Sequence, residues 1–585
     1  MEGEQHTLDE AEPPRRQTYA SPITLKGASS WAVSSKKIGR ARCRPASPLG
    51  RRVVAPERVL STSFPVGRPR LRVAPSGDST QCTKELMNKQ LLLSVFMLLM
   101  TTVLVAHSSP HHCVNPRDYG AIPDDGIPDG AALQAVLEAA PPGAVICLES
   151  GTYEIDTTLE IKKPVTIRGV WNTTLAIHGG PHTLIAIPDL GFVRDVPTGI
   201  TIERLTLDGR FVPGQTPTGA NWFGIWVRQA THITLRDLIT RNFRFEGITI
   251  SNGDQQNRNV IVERLAVYNP GRQGLHVGSC EDCILRTILI DDPQTEWGPT
   301  AAVGIDIEVE SIGVNRLSVD KSVADRGQLV AASGGLSVSP AYGPATSITV
   351  NSFSSVNGGI SAAGAPSARL SDIHFLGTWV GNPNATVANA GIGMLSVTGA
   401  TLTGSRIGIY GGGNTFGLGL SDVHDLTGTD NTLLRRKTLE PFSGAIYTDT
   451  TAPLSSEVTF TLRDSGPEQN RFYVLQAGMP NYFAAYPGFD INFSSIGTDV
   501  LALSPPTSKV TRHGNHLSIL ATDPQNFELR GVVLHNDYID SWFTVPSGEV
   551  LRRVILQQQP VRGDRIEVRT YNPYGLRGVT KLTVQ

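Results

Sequence analysis

Two phrases of one form carry the residues best suited to chemistry: Gly274-Leu275-His276-Val277 and Gly304-Ile305-Asp306-Ile307-Glu308. An imidazole and carboxyls are the groups most used to give and take protons near neutral pH. Each phrase alternates apolar and polar residues, the pattern of a half-buried strand. Side chains alternate along a strand, so Leu275, Val277, Ile305 and Ile307 point one way and His276, Asp306 and Glu308 the other. If the two strands stack in register, a histidine and two carboxylates share one outer face. His276, Asp306 and Glu308 are the expected catalytic groups.

Phrases at Gly224 and Gly247 extend the same face. Their outward residues are Trp226 and Arg228, then Thr249 and Ser251. The inward positions Ile225, Val227, Ile248 and Ile250 are all aliphatic. A slip of one residue would drive His276 and Asp306 into the core, which supports this register. Arg244, Glu246, Arg272 and Gln273 lie at the glycines, on the same edge. Trp226, Arg228, Arg244, Glu246 and Arg272 are the expected substrate-binding residues.

Three chemistries suit the set, those of a lyase, an epimerase and a hydrolase, the first two sharing one step. Removal of a proton beside a carboxylate needs a base, such as His276 or an arginine, and a cation to hold the developing charge. Arg228, Arg272 or a Ca²⁺ on Asp306 and Glu308 would supply that cation. Hydrolysis needs an acid and a base carboxyl. Asp306 and Glu308 lie ~6.6 Å apart by strand rise, and ~6.5–9.5 Å suits inversion. The plainer alternative is a solvated face on which Arg272 forms a structural ion pair with Asp306 and Glu308.

The elements that must position these residues are short repeated strands. The glycine phrases at 224, 247, 274 and 304 are separated by 23, 27 and 30 residues, by subtraction. A second series runs through Val165-Thr166-Ile167, Ile200-Thr201-Ile202, Ile233-Thr234-Leu235 and Val260-Ile261-Val262. One turn of a β-solenoid has this length, and each turn needs neighbours to bury its apolar side. Polar segments 211–221 and 293–300 interrupt the rungs and are expected to wall a groove.

The start of the repeat region reads Asp118-Tyr119-Gly120-Ala121, an Asp/Gly turn over 124–130, a helix over 131–140, then Gly151-Thr152-Tyr153. This order resembles the N-terminal cap of the pectate-lyase-like superfamily. The resemblance implies an all-β fold: a right-handed single-stranded parallel β-helix with an N-terminal capping helix. With the column of His276, Asp306, Glu308 and Arg228, the expected function is a carbohydrate-active protein working as a lyase or an inverting hydrolase on an acidic polysaccharide; the alternative is a non-catalytic glycan-binding or structural surface protein. No cofactor is required on this reading, with Ca²⁺ the one candidate. The superfamily's polygalacturonase branch carries a glycine-flanked histidine and an Arg-Ile-Lys phrase, and its epimerases an Asp-Pro-His-Asp phrase. None of these occurs here.

Texture divides the rest. Residues 1–86 hold 15 Lys/Arg against 8 Asp/Glu, are rich in Pro and Ser, and are expected to be a disordered extension or an upstream misreading before Met87. Residues 87–108 have the basic start, short apolar run and small-residue exit of a signal peptide, too short for a span of ~20 residues. The expected destination is secreted, periplasmic or cell-surface. The remaining 36 Lys/Arg against 45 Asp/Glu, from the totals of 51 and 53, leave no basic footprint for nucleic acid. The β-helix is expected over 114–432 and a C-terminal β-sandwich, immunoglobulin-like or jelly-roll, over 436–585. Cys113 and Cys147 flank the first folded segment and are candidates for pairing in an exported protein. Cys280 and Cys283 lack the second ligand pair that zinc would need, and are expected in a turn, free or disulfide-linked.

Overall fold

The computed structural model describes residues 113–585 except 181–182, 189–196, 213–221, 252–255, 292–302, 311, 326–333, 341–342, 366, 383–389, 410–415, 436–443, 450–454, 465–471, 477–478, 483–488 and 496–503. The expected extension 1–86, the signal peptide 87–108 and most of the two polar loops lie outside the described residues. Among the described residues no helix is long and apolar enough to cross a membrane.

Helix α1 (Gly130–Ala139) buries Leu133, Val136 and Leu137 against the first strands. Its N-terminal Asp129 accepts hydrogen bonds from the backbone N–H of Ile122 at 2.8 Å and of Glu154 at 3.0 Å, tying cap to rung. A disulfide joins Cys113 to Cys147, on neighbouring strands. Beyond the cap, strands pair in parallel with the strand one turn later, which makes the chain a parallel β-helix.

The strands bend at single residues in the left-handed region. One such column runs Gly199, His232, Asn259, Asp282, Arg316, Ser347, Asp372, Gly399, Asp425, all at positive φ and each skipped by the register on both sides. A bend of this kind lets an eleven-residue strand such as Thr231–Arg241 cover two faces of the coil. Charge is ordered along the axis as well. Register stacks Arg168, Glu203, Arg236, Glu263, Arg286 and Asp320, alternating in sign at every rung. Arg236 lies 2.5 Å from Glu203 and Arg286 2.7 Å from Glu263.

The ladder outlasts the expected boundary at 432. Phe416–Arg435 pairs in parallel with Gly444–Asp449 and Ser456–Asp464, and the latter with Phe489–Ser495. A solenoid strand with one wet face alternates as a sandwich strand does, so Val458-Thr459-Phe460-Thr461-Leu462 reads equally well as either. The two-sheet domain is therefore smaller than 436–585. Its strands begin at Thr507 and end in a hairpin, where Arg565 pairs with Thr583.

Five strands carry the candidate face: β1 (Phe223–Val227), β2 (Glu246–Ile250), β3 (Gln273–Val277), β4 (Val303–Val309) and β5 (Leu336–Pro340). In the C-terminal domain, β6 (Thr507–His513), β7 (His516–Thr522) and β10 (Leu551–Ile555) form one antiparallel sheet. The other is built from β8 (Leu529–His535), β9 (Tyr538–Val545), β11 (Arg565–Tyr571) and β12 (Arg577–Thr583). The two share a core that includes Leu517, Ile519, Val533, Phe543, Val554 and Val568.

The four-stranded sheet also packs outward on the solenoid flank. Val532, Leu534, Tyr538, Ile539 and Tyr571 meet Ile239, Ala266, Leu289, Val323 and Val356. Tyr538 Oη and Thr206 Oγ1 are 2.9 Å apart, Arg569 lies 2.9 Å from Asp291, and Arg577 lies 2.8 Å from Asp325. At Gly381 the docked turn comes so close that a Cβ would collide with the backbone of Tyr574 and Gly575. Gly381→Ala is therefore expected to lower stability by about 1–3 kcal/mol, as overpacking does. Thermal unfolding of the intact chain checks this.

Candidate active site

The register predicted from the glycines is the register observed. Trp226 pairs with Thr249, Thr249 with His276, His276 with Asp306, and Asp306 with Ser337. The inward partners Ile225, Val227, Ile248, Ile250, Leu275, Val277, Ile305 and Ile307 are fully buried. The outward residues were expected on an open face, and there the structure differs. His276 and Asp306 are each only 6% exposed, and Glu246 only 1%.

That burial sets their protonation. Asp306 is pushed up to about 7, first by loss of water, then by the charge of Glu308, with Arg272 pulling the other way. Burial likewise pushes Glu246 up to about 7, against the pull of Arg272. The same loss of water, with the Arg272 charge, drives His276 down to about 4, partly offset by a hydrogen bond to the Glu308 backbone. At pH 6 the free protein therefore carries neutral His276 beside largely protonated Asp306 and Glu246.

Arg272 organises the group. Its guanidinium donates to Glu246 Oε1 at 3.3 Å and lies 3.6 Å from Glu308 Oε2. Thr249 Oγ1 donates to Glu246 Oε2 at 3.2 Å. Gln273 Nε2 donates to Asp306 Oδ2, and Ser337 holds the same carboxyl. Pairing of β4 with β3 stops after Asp306 while pairing with β5 continues to Val309. The backbone of Glu308, still in register with Ser339, hydrogen-bonds the His276 ring. Four polar atoms here are buried without a hydrogen-bond partner among the described residues: Trp226 Nε1, Ser251 Oγ, Gln273 Oε1 and His276 Nε2.

The structure brings His276, Asp306, Glu246 and Arg272 together. Glu308 sits at the margin, its side chain 37% exposed. Trp226 and Arg228 form their own unit, with the guanidinium 4.6 Å from the indole ring. Arg244 lies over Phe245 at 5.8 Å. Sequence reasoning missed the role of Gln273 and Ser337, and missed an aromatic group beside the site. Trp222 and Phe223 each pack on Phe245, at centroid distances of 5.3 Å and 6.0 Å, and Phe223 packs on Trp226 at 5.4 Å. Phe223 is the register partner of Glu246, a signal the glycine alignment contained. Among the described residues no group of three or more His, Cys, Asp or Glu could hold a metal ion. Cys280 and Cys283 are joined in a disulfide buried in the solenoid core.

No protein-family model matches the chain, and no curated protein matches it. Solved structures do. An A-module of mannuronan C-5 epimerase from Azotobacter vinelandii is 13% identical with a TM-score of 0.42, over 66% of this chain and 100% of that one. The N-terminal fragment of bacteriophage phi29 gene product 12 is 14% identical with a TM-score of 0.42, over 67% of this chain and 76% of that one. A family 28 exopolygalacturonase of Yersinia enterocolitica is 12% identical with a TM-score of 0.37, over 68% and 80%. Such distant likenesses concern the fold alone. The register of this chain is itself that of a parallel β-helix, the architecture its N-terminal phrases resemble.

Proposed function

We propose that the chain is an exported carbohydrate-active enzyme that binds an acidic polysaccharide on the β1–β5 face and cleaves it by proton transfer, as a lyase. The observation that carries this reading is the set of opposed protonation states in one buried cluster. A neutral imidazole and a protonated carboxyl stand on adjacent rungs, with a guanidinium beside them. Groups whose surroundings push their pKa values apart are suited to act as base and acid.

In the elimination, Arg272 holds the carboxylate of a uronate ring. His276 Nε2 takes the C5 proton, the bond from C4 to the bridging oxygen breaks, and Asp306 gives its proton to the departing oxygen. The entering anion raises the basicity of His276 from its value in the free protein. Protonation of Glu246 frees Arg272 from one of its two carboxylate partners. Trp222, Phe223 and Phe245 offer ring faces to neighbouring sugars. The disulfides at Cys113–Cys147 and Cys280–Cys283 support an oxidising destination outside the cytoplasm.

Incubation with a panel of uronate-containing polysaccharides, with and without added Ca²⁺, tests the reading. Elimination yields an unsaturated product absorbing in the near ultraviolet. New reducing ends without that absorbance would instead mean hydrolysis. Glycan binding without any turnover is the competing reading, favoured by the deep burial of His276 and Asp306, and it would end the enzymatic one. For a lyase, kcat/KM should be bell-shaped in pH, because it reports the free enzyme's groups. It is expected to fall below about 4 as His276 takes a proton, and above about 7 as Asp306 loses one.

A further inference from the structure

The C-terminal domain turns its four-stranded sheet to the solenoid, so the sheet of β6, β7 and β10 presents the opposite side. Val510, Leu517, Ile519, Ala521 and Val554 point into the core. Strand alternation sends Lys509, His516, Leu520, Leu551, Arg553 and Ile555 the other way, and all six are exposed. Register sets them side by side. Leu520 pairs with Leu551 and with Lys509, and His516 pairs with Ile555 and with His513. Leu520 is 43% exposed, Leu551 48%, Ile555 62%, and Val550 at the head of β10 48%. No Asp or Glu occupies an outward position on these three strands; Glu549 lies in the turn before β10.

We propose that this face docks on an anionic lipid surface. Clustered exposed aliphatic side chains mark an interaction site rather than ordinary surface. Here they are flanked by Lys509 and Arg553, a combination suited to shallow insertion with cations at the headgroups. An acidic polysaccharide would use the cations but would gain little from four aliphatic side chains. A second copy of the same face would oppose like charges. This inference is independent of the activity of the solenoid.

The test uses the full chain lacking only residues 1–108, sedimented with vesicles of phosphatidylglycerol and phosphatidylcholine, or of phosphatidylcholine alone. Binding is expected to the anionic vesicles only, and to weaken as salt is raised. Arg553→Glu or Lys509→Glu should lower affinity about fivefold or more each. Leu551→Ser combined with Ile555→Ser should lower it at least about tenfold. Unchanged thermal unfolding of each variant would exclude misfolding as the cause. Failure to sediment with anionic vesicles overturns the proposal. So does binding that survives the Leu551→Ser/Ile555→Ser pair, because it would then rest on charge alone. Retention on an immobilised acidic polysaccharide in place of vesicle binding would identify a glycan-binding face instead.

Discussion

Asp306→Asn is expected to remove turnover and to stabilise the protein, both from one substitution. Loss of a positioned proton donor typically costs ~10²–10⁴-fold in rate. Asparagine keeps the size and an acceptor oxygen for Gln273 while removing the acid. The stability effect follows from linkage. In the unfolded chain Asp306 loses its proton near its ordinary value of 3.8, whereas in the folded protein burial holds that proton up to about 7. Between those values the folded state binds more protons, so wild-type stability falls as pH rises through the window and stays lowered above it. At about 1.4 kcal/mol per unit, the penalty is on the order of 4 kcal/mol above pH 7. Asparagine escapes it. Comparing unfolding of wild type and Asp306→Asn at pH 4 and pH 8 should therefore show the variant gaining at pH 8. Glu308→Gln, at the exposed margin, should show neither effect at comparable size. An active Asp306→Asn protein would remove Asp306 from the acid role.

The second large effect is expected at the seam between domains. Asp291 and Asp325 are register neighbours on the solenoid flank, both largely buried, and Arg569 and Arg577 reach them from the docked sheet. Burial holds the Asp291 carboxyl above its ordinary range even with Arg569 beside it. Arg569→Ala would leave buried carboxylates facing each other without that cation. Breaking a buried pair from one side costs ~3–5 kcal/mol, enough to threaten a marginally stable domain. Asp291→Asn placed on top of Arg569→Ala should recover a large part of the loss, because it removes the stranded charge. Denaturant unfolding of the two single variants and the double variant measures the coupling. Additive losses would mean that the sheet is held by its apolar contacts alone.

Much of this was legible in the chain. Aligned glycines yielded the register of Trp226, Thr249, His276 and Asp306, because aliphatic residues at every second position leave one face to bury. The capping helix was legible from a different period, with Leu133, Val136 and Leu137 on one helical face. Three things were not. Burial of His276 and Asp306 is a tertiary property of the stacked face, which no local pattern encodes. Left-handed bends fall on His232, Asp282, Arg316 and Asp372 as well as on glycines, so the usual punctuation is missing. And the last turns of the solenoid alternate like a free-standing sheet, which moved the expected boundary too early.

The alternating column from Arg168 to Asp320 gives the coil a parity. Each rung is either an odd or an even member, and its neighbours must be of the other kind. Excision of one rung between Glu203 and Glu263 would bring those two glutamates into contact, whereas excision of two would restore an opposite pair. Between Arg168 and Asp320, turns can be added or removed without setting like charges side by side only in pairs, so over this stretch the electrostatic unit is two turns and not one.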